Sequence, residues 1–393
     1  MSSRHLSLKL LIDSMKFIKM KALKSTPLVY LFCFLVCTEK SLGDWEFFRG
    51  SPDMKGVANA ELNLPLGLEW SVKIGRSVFA TPVISGDKVF VGNEEGRFVC
   101  LSLSEGNILW EFNTDDIIEG TACVADDSVL FGSGDGHLYS LNSNSGKLKW
   151  KYETEGEILG GVNLFKSTVD QKLYALVGSY DNYMHCVSLA EGKLKWKYDT
   201  QNYVNGAPGI SDGKIYFGGC DAQIYGIKTE TGKVHITMDA ENYIANSIVV
   251  ADSVAYVAHH GNRVAAFDLK KKERIWEFGE RDFPFFSSPA VTKDSVYAAG
   301  KDKRLYKINR KTGEGHWEFK TGQGIESSPV VSGNSGFIGS GDGSIYAVDI
   351  KSGKQKWSYE IGDNIRSSPA ITEGKLVIGC DDGKIYCFAE TKK

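Results

Sequence analysis

The sequence predicts an all-β chain: an eight-bladed β-propeller of four-stranded antiparallel blades, closed by its N-terminal strand pairing with the last blade. Three observations predict it. First, Trp70, Trp110, Trp150, Trp196, Trp276, Trp317 and Trp357 mark a period, with Ile236 where one Trp is missing, and the spacings run 40, 40, 46, 40, 40, 41 and 40. A period held over most of a chain signals one supersecondary unit stacked on copies of itself. Second, the periods carry turn pairs at a fixed offset, Glu105-Gly106, Ser145-Gly146, Glu191-Gly192, Thr231-Gly232, Thr312-Gly313 and Ser352-Gly353. Third, eight inner strands begin at equivalent positions, near Phe79, Glu119, Leu159, Asn205, Ala245, Phe286, Glu326 and Arg366.

The most regular unit, Ile325–Tyr359, shows how each element is read. Ser327–Val331 is small and then apolar; Gly336–Ser340 is apolar and stops at Gly341-Asp342-Gly343; Ser344–Ile350 alternates with a period of two; Ser352-Gly353 turns the chain into Gln355–Tyr359, which carries Trp357. Alternation bounded by Asp-Gly and Ser-Gly pairs is the mark of strands joined by tight hairpins. Four strands in about 40 residues make one propeller blade. The Asp and Gly residues of these turns supply left-handed conformations and local hydrogen bonds, a structural role that accounts for them without a metal. The first Trp strand, Leu68–Lys73, has no inner strands before it, and the last unit ends at Phe388 without a Trp strand. Joining the two ends completes the eighth blade and removes exposed sheet edges. The Trp side chains are expected to fill the wedges between blades, each indole N–H reaching a backbone carbonyl.

Before the repeats, residues 1–43 read as a secretory signal: Lys16, Lys19, Lys21 and Lys24 precede the apolar run Pro27–Cys37, which is shorter than the roughly 20 residues of a membrane span. Ser41-Leu42-Gly43 predicts cleavage before Asp44; lipidation at Cys37 and an uncleaved anchor are the rival outcomes, and Met15 or Met20 are alternative starts. Residues 44–65 form a lead-in, and residues 66–393 the propeller. Formal charge is −3 for the whole chain, and −8 without residues 1–43, which hold seven Lys/Arg and two Asp/Glu. A mildly acidic body without a basic stripe argues against nucleic acid as a partner.

The pattern Ser-Ser-Pro, Gly-x-x-Asp-Gly, Ile-Tyr-Ala-x-Asp, Ser-Gly-x-x-x-Trp, seen in Ser327–Trp357 and its copies over about residues 66–390, resembles the PQQ-like, quinoprotein-type repeat. In repeat and size the chain is similar to the outer-membrane assembly factor BamB family. Trp45–Gly50 looks like the lead-in found before such propellers. The resemblance implies a propeller and leaves function open, because one fold hosts many functions. Quinoprotein dehydrogenases of this type hold the quinone over the axis with Ca²⁺, a catalytic Asp and a disulfide between adjacent cysteines. This chain has no adjacent cysteines and no Asp among the eight ring positions. Glu119 and Asn205 are the residues that could stand for a Ca²⁺ pair. Neither PQQ nor calcium is expected.

The ring remains a candidate ligand-binding site through Phe79, Glu119, Asn205, Phe286, Glu326 and Arg366, as polar groups among aromatics at a funnel mouth suit a small ligand or peptide. Glu326 and Arg366 are expected to face one another as an ion pair. Cys100, Cys186 and Cys387 share the small slot that Ala347 fills in the regular unit, so free buried thiols are expected there and at Cys123, Cys220 and Cys380. No Cys/His spacing suggests zinc. Two irregularities stand out. Phe165–Lys172 lengthens one blade by six residues, a candidate contact loop. Around Ile236–Arg274 several repeat rules break together; His259 and His260 are expected to be solvated turn residues, and Lys270–Arg274 a solvated basic turn. The expected function is a non-catalytic, exported, monomeric scaffold that binds a protein of the cell envelope or periplasm, with no transmembrane span in the mature chain. The alternatives are a quinoprotein-like oxidoreductase and a carbohydrate or small-ligand sensor.

Overall fold

Residues 44–279 and 281–391 are described by a computed structural model; the expected signal segment, with Cys33 and Cys37, lies outside them. The described strands form eight four-stranded antiparallel sheets arranged in sequence order. In the first blade, Val83–Ser85, Lys88–Gly92, Arg97–Ser102 and Ile108–Asn113 pair in that order from the axis outward. The eighth blade is built from both ends of the propeller. Leu66–Lys73 pairs antiparallel with Lys384–Glu390, running from Leu66 opposite Glu390 to Lys73 opposite Lys384. The predicted closure is therefore present.

Each of the seven repeat Trp residues, Trp70 to Trp357, occupies the outermost strand just after a bulge. In the first blade Cys100 pairs with Trp110 and Leu101 with Ile108, so Leu109 is the extra residue; bulges of this kind re-aim a side chain. The indole N–H of Trp70 donates to Leu103 O at 2.9 Å, that of Trp196 to Thr229 O at 2.8 Å, and that of Trp357 to Leu66 O at 3.0 Å across the closure. Three residues past each acceptor in the blades that keep the Trp-Gly pair, a glycine lies under the ring. A Cβ at Gly106, Gly146, Gly192, Gly232, Gly313 or Gly353 would sit 2.6–2.8 Å from the preceding blade's Trp, and these glycines have φ of +65° to +75°. At the one interface without Trp, Ile236 is buried and Lys272, at φ +59°, replaces the glycine. The missing Trp and the missing Gly are thus one paired change: a smaller wedge leaves room for a Cβ.

The turn aspartates are tied to their own blades. Asp382 Oδ2 accepts the Tyr386 hydroxyl at 2.6 Å, Asp342 Oδ2 that of Tyr346 at 2.9 Å, and Asp221 Oδ2 that of Tyr225 at 2.5 Å. In the third blade His185 takes the Tyr place, with Nε2 2.9 Å from Asp181 Oδ2 and Nδ1 3.1 Å from the Tyr152 hydroxyl. The Ser-Ser pairs serve the axis. The second Ser of each pair accepts from the previous blade: Ser247 N–H donates to Ser288 Oγ, Ser288 N–H to Ser328 Oγ, Ser328 N–H to Ser368 Oγ, and Ser368 N–H to Thr81 Oγ1, at 2.9–3.1 Å. Buried amides that no strand partner reaches are satisfied this way.

The lead-in crosses the face of the ring opposite the inter-blade loops. Trp45 exchanges backbone hydrogen bonds with Ile84; Glu46 O accepts from Val124 N, Pro52 O from Ile210 N, Lys55 O from Val291 N and Gly56 O from Val331 N. It therefore staples blades 1, 2, 4, 6 and 7 before entering blade 8 at Leu66. Arg49 is buried within it. Its Nη2 donates to Pro289 O at 2.9 Å, while Nε and Nη1 have no partner among the described residues. Burial brings its pKa down to about 9.

Two expectations about the irregular region meet different outcomes. Of Lys270–Arg274, only Lys270–Lys272 form an exposed turn, with Asp268 Oδ1 accepting the Lys270 and Lys271 amides; Glu273 and Arg274 open the outermost strand, where Arg274 pairs with Glu241 and Glu277. His259 is a correction: it is buried, and its Nδ1 accepts Gly261 N–H at 3.0 Å, the capping role that Asp plays in other blades. His260 is exposed and meets Phe286 edge-on at 4.8 Å. The added loop of the third blade docks on the next blade, with Glu230 accepting from Ser167 Oγ and Thr168 N. The six described cysteines are free, and all but Cys220 are buried.

Candidate functional site

Inner strands of a propeller converge at the axis, so the residues that lead into them must share one cavity. All eight ring positions line it: Phe79, Glu119, Leu159, Asn205, Ala245, Phe286, Glu326 and Arg366, with the hydroxyl belt deeper and Phe48 of the lead-in contributing from below. The cavity measures about 190 Å³, below the roughly 300–1,000 Å³ of typical small-molecule pockets.

The expected Glu326–Arg366 pair is a correction. Lys301, in the hairpin turn of the sixth blade, pairs with Glu326, and its Nζ lies 5.5 Å from the Phe286 ring centre. Arg366 stacks on Phe79 at 3.4 Å and pairs through Nε and Nη2 with Asp381 Oδ2 at 2.9 and 2.8 Å. Hairpin turns form a second ring outside the first, and Glu326 and Arg366 each find their partner there. Strand spacing in sequence places neighbours within a blade; it does not place the turn that leans over from the side.

Asn205 Nδ2 points to Cys220 Sγ at 3.8 Å, and Asn205 Oδ1 has no hydrogen-bond partner among the described residues. Asn246, one position deeper in the next blade, donates from Nδ2 to Phe285 O and Ser287 O, and its Oδ1 is likewise without a partner. Burial raises the Glu119 carboxyl above the ordinary range; Arg366 opposes this, and Glu94 and Glu157 add to it. Those three carboxylates come from blades 1, 2 and 3. Around them, the loops and turns at residues 93–96, 114–122, 133–136, 154–162 and 179–182 contain nine Asp and Glu and no Lys or Arg.

Sequence reasoning passed over the aromatic residues of the mouth. Tyr203, Tyr243 and Phe283 are 46, 56 and 50% exposed, and each stands seven residues after the Trp position of blades 3, 4 and 5, in the loops leading into blades 4, 5 and 6. Tyr203 stacks on Tyr180 at 4.6 Å with the planes 6° apart. The signal was available: at the same offset the other blades hold Ser77, Ile117, Glu157, Gly324 and Asn364. Tyr203 and Tyr243 stand two residues before ring positions Asn205 and Ala245, and Phe283 three before Phe286, so the three lie just outside the ring.

The sequence profile of the outer membrane protein assembly factor BamB matches residues 67–276 and 281–390. The chain belongs to that family. Among solved structures, BamB from Moraxella catarrhalis is similar with a TM-score of 0.71 and 19% identity, over 84% of this chain and 99% of that one. A europium-containing methanol dehydrogenase is similar at 0.71 and 14%, over 89% and 98%. The quinohemoprotein alcohol dehydrogenase from Comamonas testosteroni is similar at 0.74 and 14%, over 89% and 81%. At these identities the likeness is one of fold. No curated protein sequence matches the chain. The family shares its architecture with redox enzymes, so the site has to carry the distinction. No described helix is long and apolar enough to cross a membrane.

Proposed function

We propose that this protein is a non-catalytic, exported binding scaffold of the cell envelope that engages a protein partner with the channel-mouth face. The observation that carries this reading is the aromatic arc. Three exposed aromatic side chains stand on the mouth loops of three successive repeats, each seven residues after the Trp position and 40 residues apart. Scattered exposed apolar residues are ordinary, but aromatic residues gathered on neighbouring loops are the usual anchors of protein interfaces. Membership of the BamB family supports the same reading.

The residues of the ring do not fit a calcium–quinone pair. Ca²⁺ takes about 6–8 oxygen ligands. Here Glu326 is engaged by Lys301, and Asp381, which stands outside the ring, is engaged by Arg366. No group of three or more His, Cys, Asp or Glu among the described residues is placed to hold a metal. Photo-crosslinkers at positions 203, 243 and 283, with Leu148 on the circumference as control, test the proposal. One envelope protein captured from the mouth positions and absent from the control is the expected result. Dye-linked alcohol oxidation by protein supplied with quinone and Ca²⁺ would overturn it.

A further inference from the structure

We infer that the mouth receives a basic, apolar segment of the partner, with a Lys or Arg side chain entering the cavity against Glu119 and the neighbouring apolar residues lying on Tyr203, Tyr243 and Phe283. The inference rests on the scaffold reading and adds the chemistry of what is bound.

The mouth is divided into sectors of different character. Blades 1–3 present carboxylates, and the one cation of their mouth loops, the exposed Arg76, is paired with Glu95 at 3.5 Å. Blades 4–6 present the aromatic arc. The cations of blades 6 and 8, Lys301 and Arg366, are already neutralised by Glu326 and Asp381. An anionic segment would therefore meet net repulsion over the first sector, and at the cavity rim only cations that are already paired. A cationic group would meet the opposite: Glu119 lies partly buried in the cavity wall between Glu94 and Glu157, and like-charged neighbours in a partly desolvated site attract a cation more strongly than isolated surface carboxylates do. Asn246 gives an independent indication. It is only 6% exposed, it lines the cavity, and its Oδ1 lacks a donor among the described residues. Asn205 Oδ1, on the adjoining wall, lacks one too. Buried acceptors are normally satisfied, and an ammonium or guanidinium group brings only donors. A cavity of about 190 Å³ suits one side-chain terminus better than a cofactor. The aromatic arc, starting at Tyr203 beside Asn205 of the ring, continues outward from the cavity, where residues flanking that cation would lie.

Three capped heptapeptides of equal aromatic and aliphatic content, carrying two Lys, two Gln or two Glu, test this by fluorescence anisotropy with the full chain. The Lys peptide is expected to bind at least about tenfold more tightly than the Gln peptide, with a preference that shrinks at high salt. Glu119→Gln should abolish the preference without loss of fold, because it removes a carboxylate whose charge is disfavoured by burial. The exposed Glu94→Gln/Glu157→Gln variant should reduce the preference and guards against any folding defect at position 119. Tyr203→Ala/Tyr243→Ala should weaken all three peptides alike. Affinity for the Lys peptide should fall as pH drops through the raised range where Glu119 takes up a proton. Equal binding of the three peptides, no binding of any, or a preference that survives Glu119→Gln would overturn the inference, as would Ca²⁺ alone saturating the site and excluding the Lys peptide. If charge preference is absent while the mouth crosslinkers still capture their protein, the scaffold reading stands and this inference falls; if both fail, both fall.

Discussion

Ile236 and Lys272 should behave as one unit. At six of the other seven interfaces the wedge between blades is an indole over a glycine, with only 2.6–2.8 Å between the indole and a hypothetical Cβ. Ile236→Trp alone drives an indole into the Lys272 Cβ, and overpacking of this kind costs about 1–3 kcal/mol. Lys272→Gly alone releases a left-handed residue at φ +59°, a gain of about 1 kcal/mol, offset by the space left beside Ile236. In the double variant the clash is gone, and the new indole N–H can reach Leu269 O, the carbonyl that stands where Leu103, Thr229 and Arg310 accept from Trp70, Trp196 and Trp276. That bond contributes about 1 kcal/mol, and the buried ring adds to it. The expected coupling is therefore about 2 kcal/mol or more in favour of the pair, at the upper part of the range for contacting residues. Urea unfolding of wild type, both single variants and the double variant measures it. Additive effects, or an Ile236→Trp variant as stable as wild type, would refute the claim that the two positions compensate one another.

Three further outcomes follow from the same contacts. Arg49→Met should be neutral or stabilising by up to about 2 kcal/mol, since a buried guanidinium with two nitrogens unpartnered is replaced by an apolar chain of similar length; a loss above that size in urea melts would show that something holds the charge. Because the Arg49 pKa is lowered in the fold to about 9, the wild type carries the penalty fully below that pH. The gap to the variant should close between about pH 9 and the ordinary Arg value. Tyr386→Phe should cost about 1 kcal/mol at neutral pH by removing the 2.6 Å bond to Asp382. Burial on its own would raise the Asp382 carboxyl, but Tyr386 and the Lys384 amide hold it below the usual range. Its contribution is therefore present above the unfolded carboxylate pKa and lost as pH falls through the lowered folded value. The difference between Tyr386→Phe and wild type should accordingly narrow in acid, and a constant gap on a pH series of melts would contradict the tie. Deleting residues 44–73 should leave Lys384–Glu390 as an open edge and remove the staple beneath the ring, giving a chain that self-associates in light scattering; a stable monomer would contradict the closure.

The repeat, the number of blades and the ring positions were legible in the chain itself, because they follow from local rules repeated eight times. Trp period, Asp-Gly turn and two-residue alternation each act within about 40 residues, and closure follows once both ends are short by complementary strands. Even the Ile236–Lys272 exchange was written in the sequence as two broken rules, although their pairing requires knowing that a Trp leans onto the next blade's turn. What the tertiary structure alone decided lies between blades. Arg366 pairs with Asp381 and Glu326 with Lys301, because the hairpin-turn ring stands outside the inner ring and its long side chains reach inward. His259 is buried because it caps a turn that packs against the mouth. The lead-in, sequence without periodicity, turned out to span the ring from blade 1 to blade 7 and place Phe48 at the base of the cavity. Periodicity reports which face of its own strand a residue occupies. Which charge meets which, and whether a carboxylate is left without a cation, depends on side chains brought together from different repeats, and only the closed ring sets those distances.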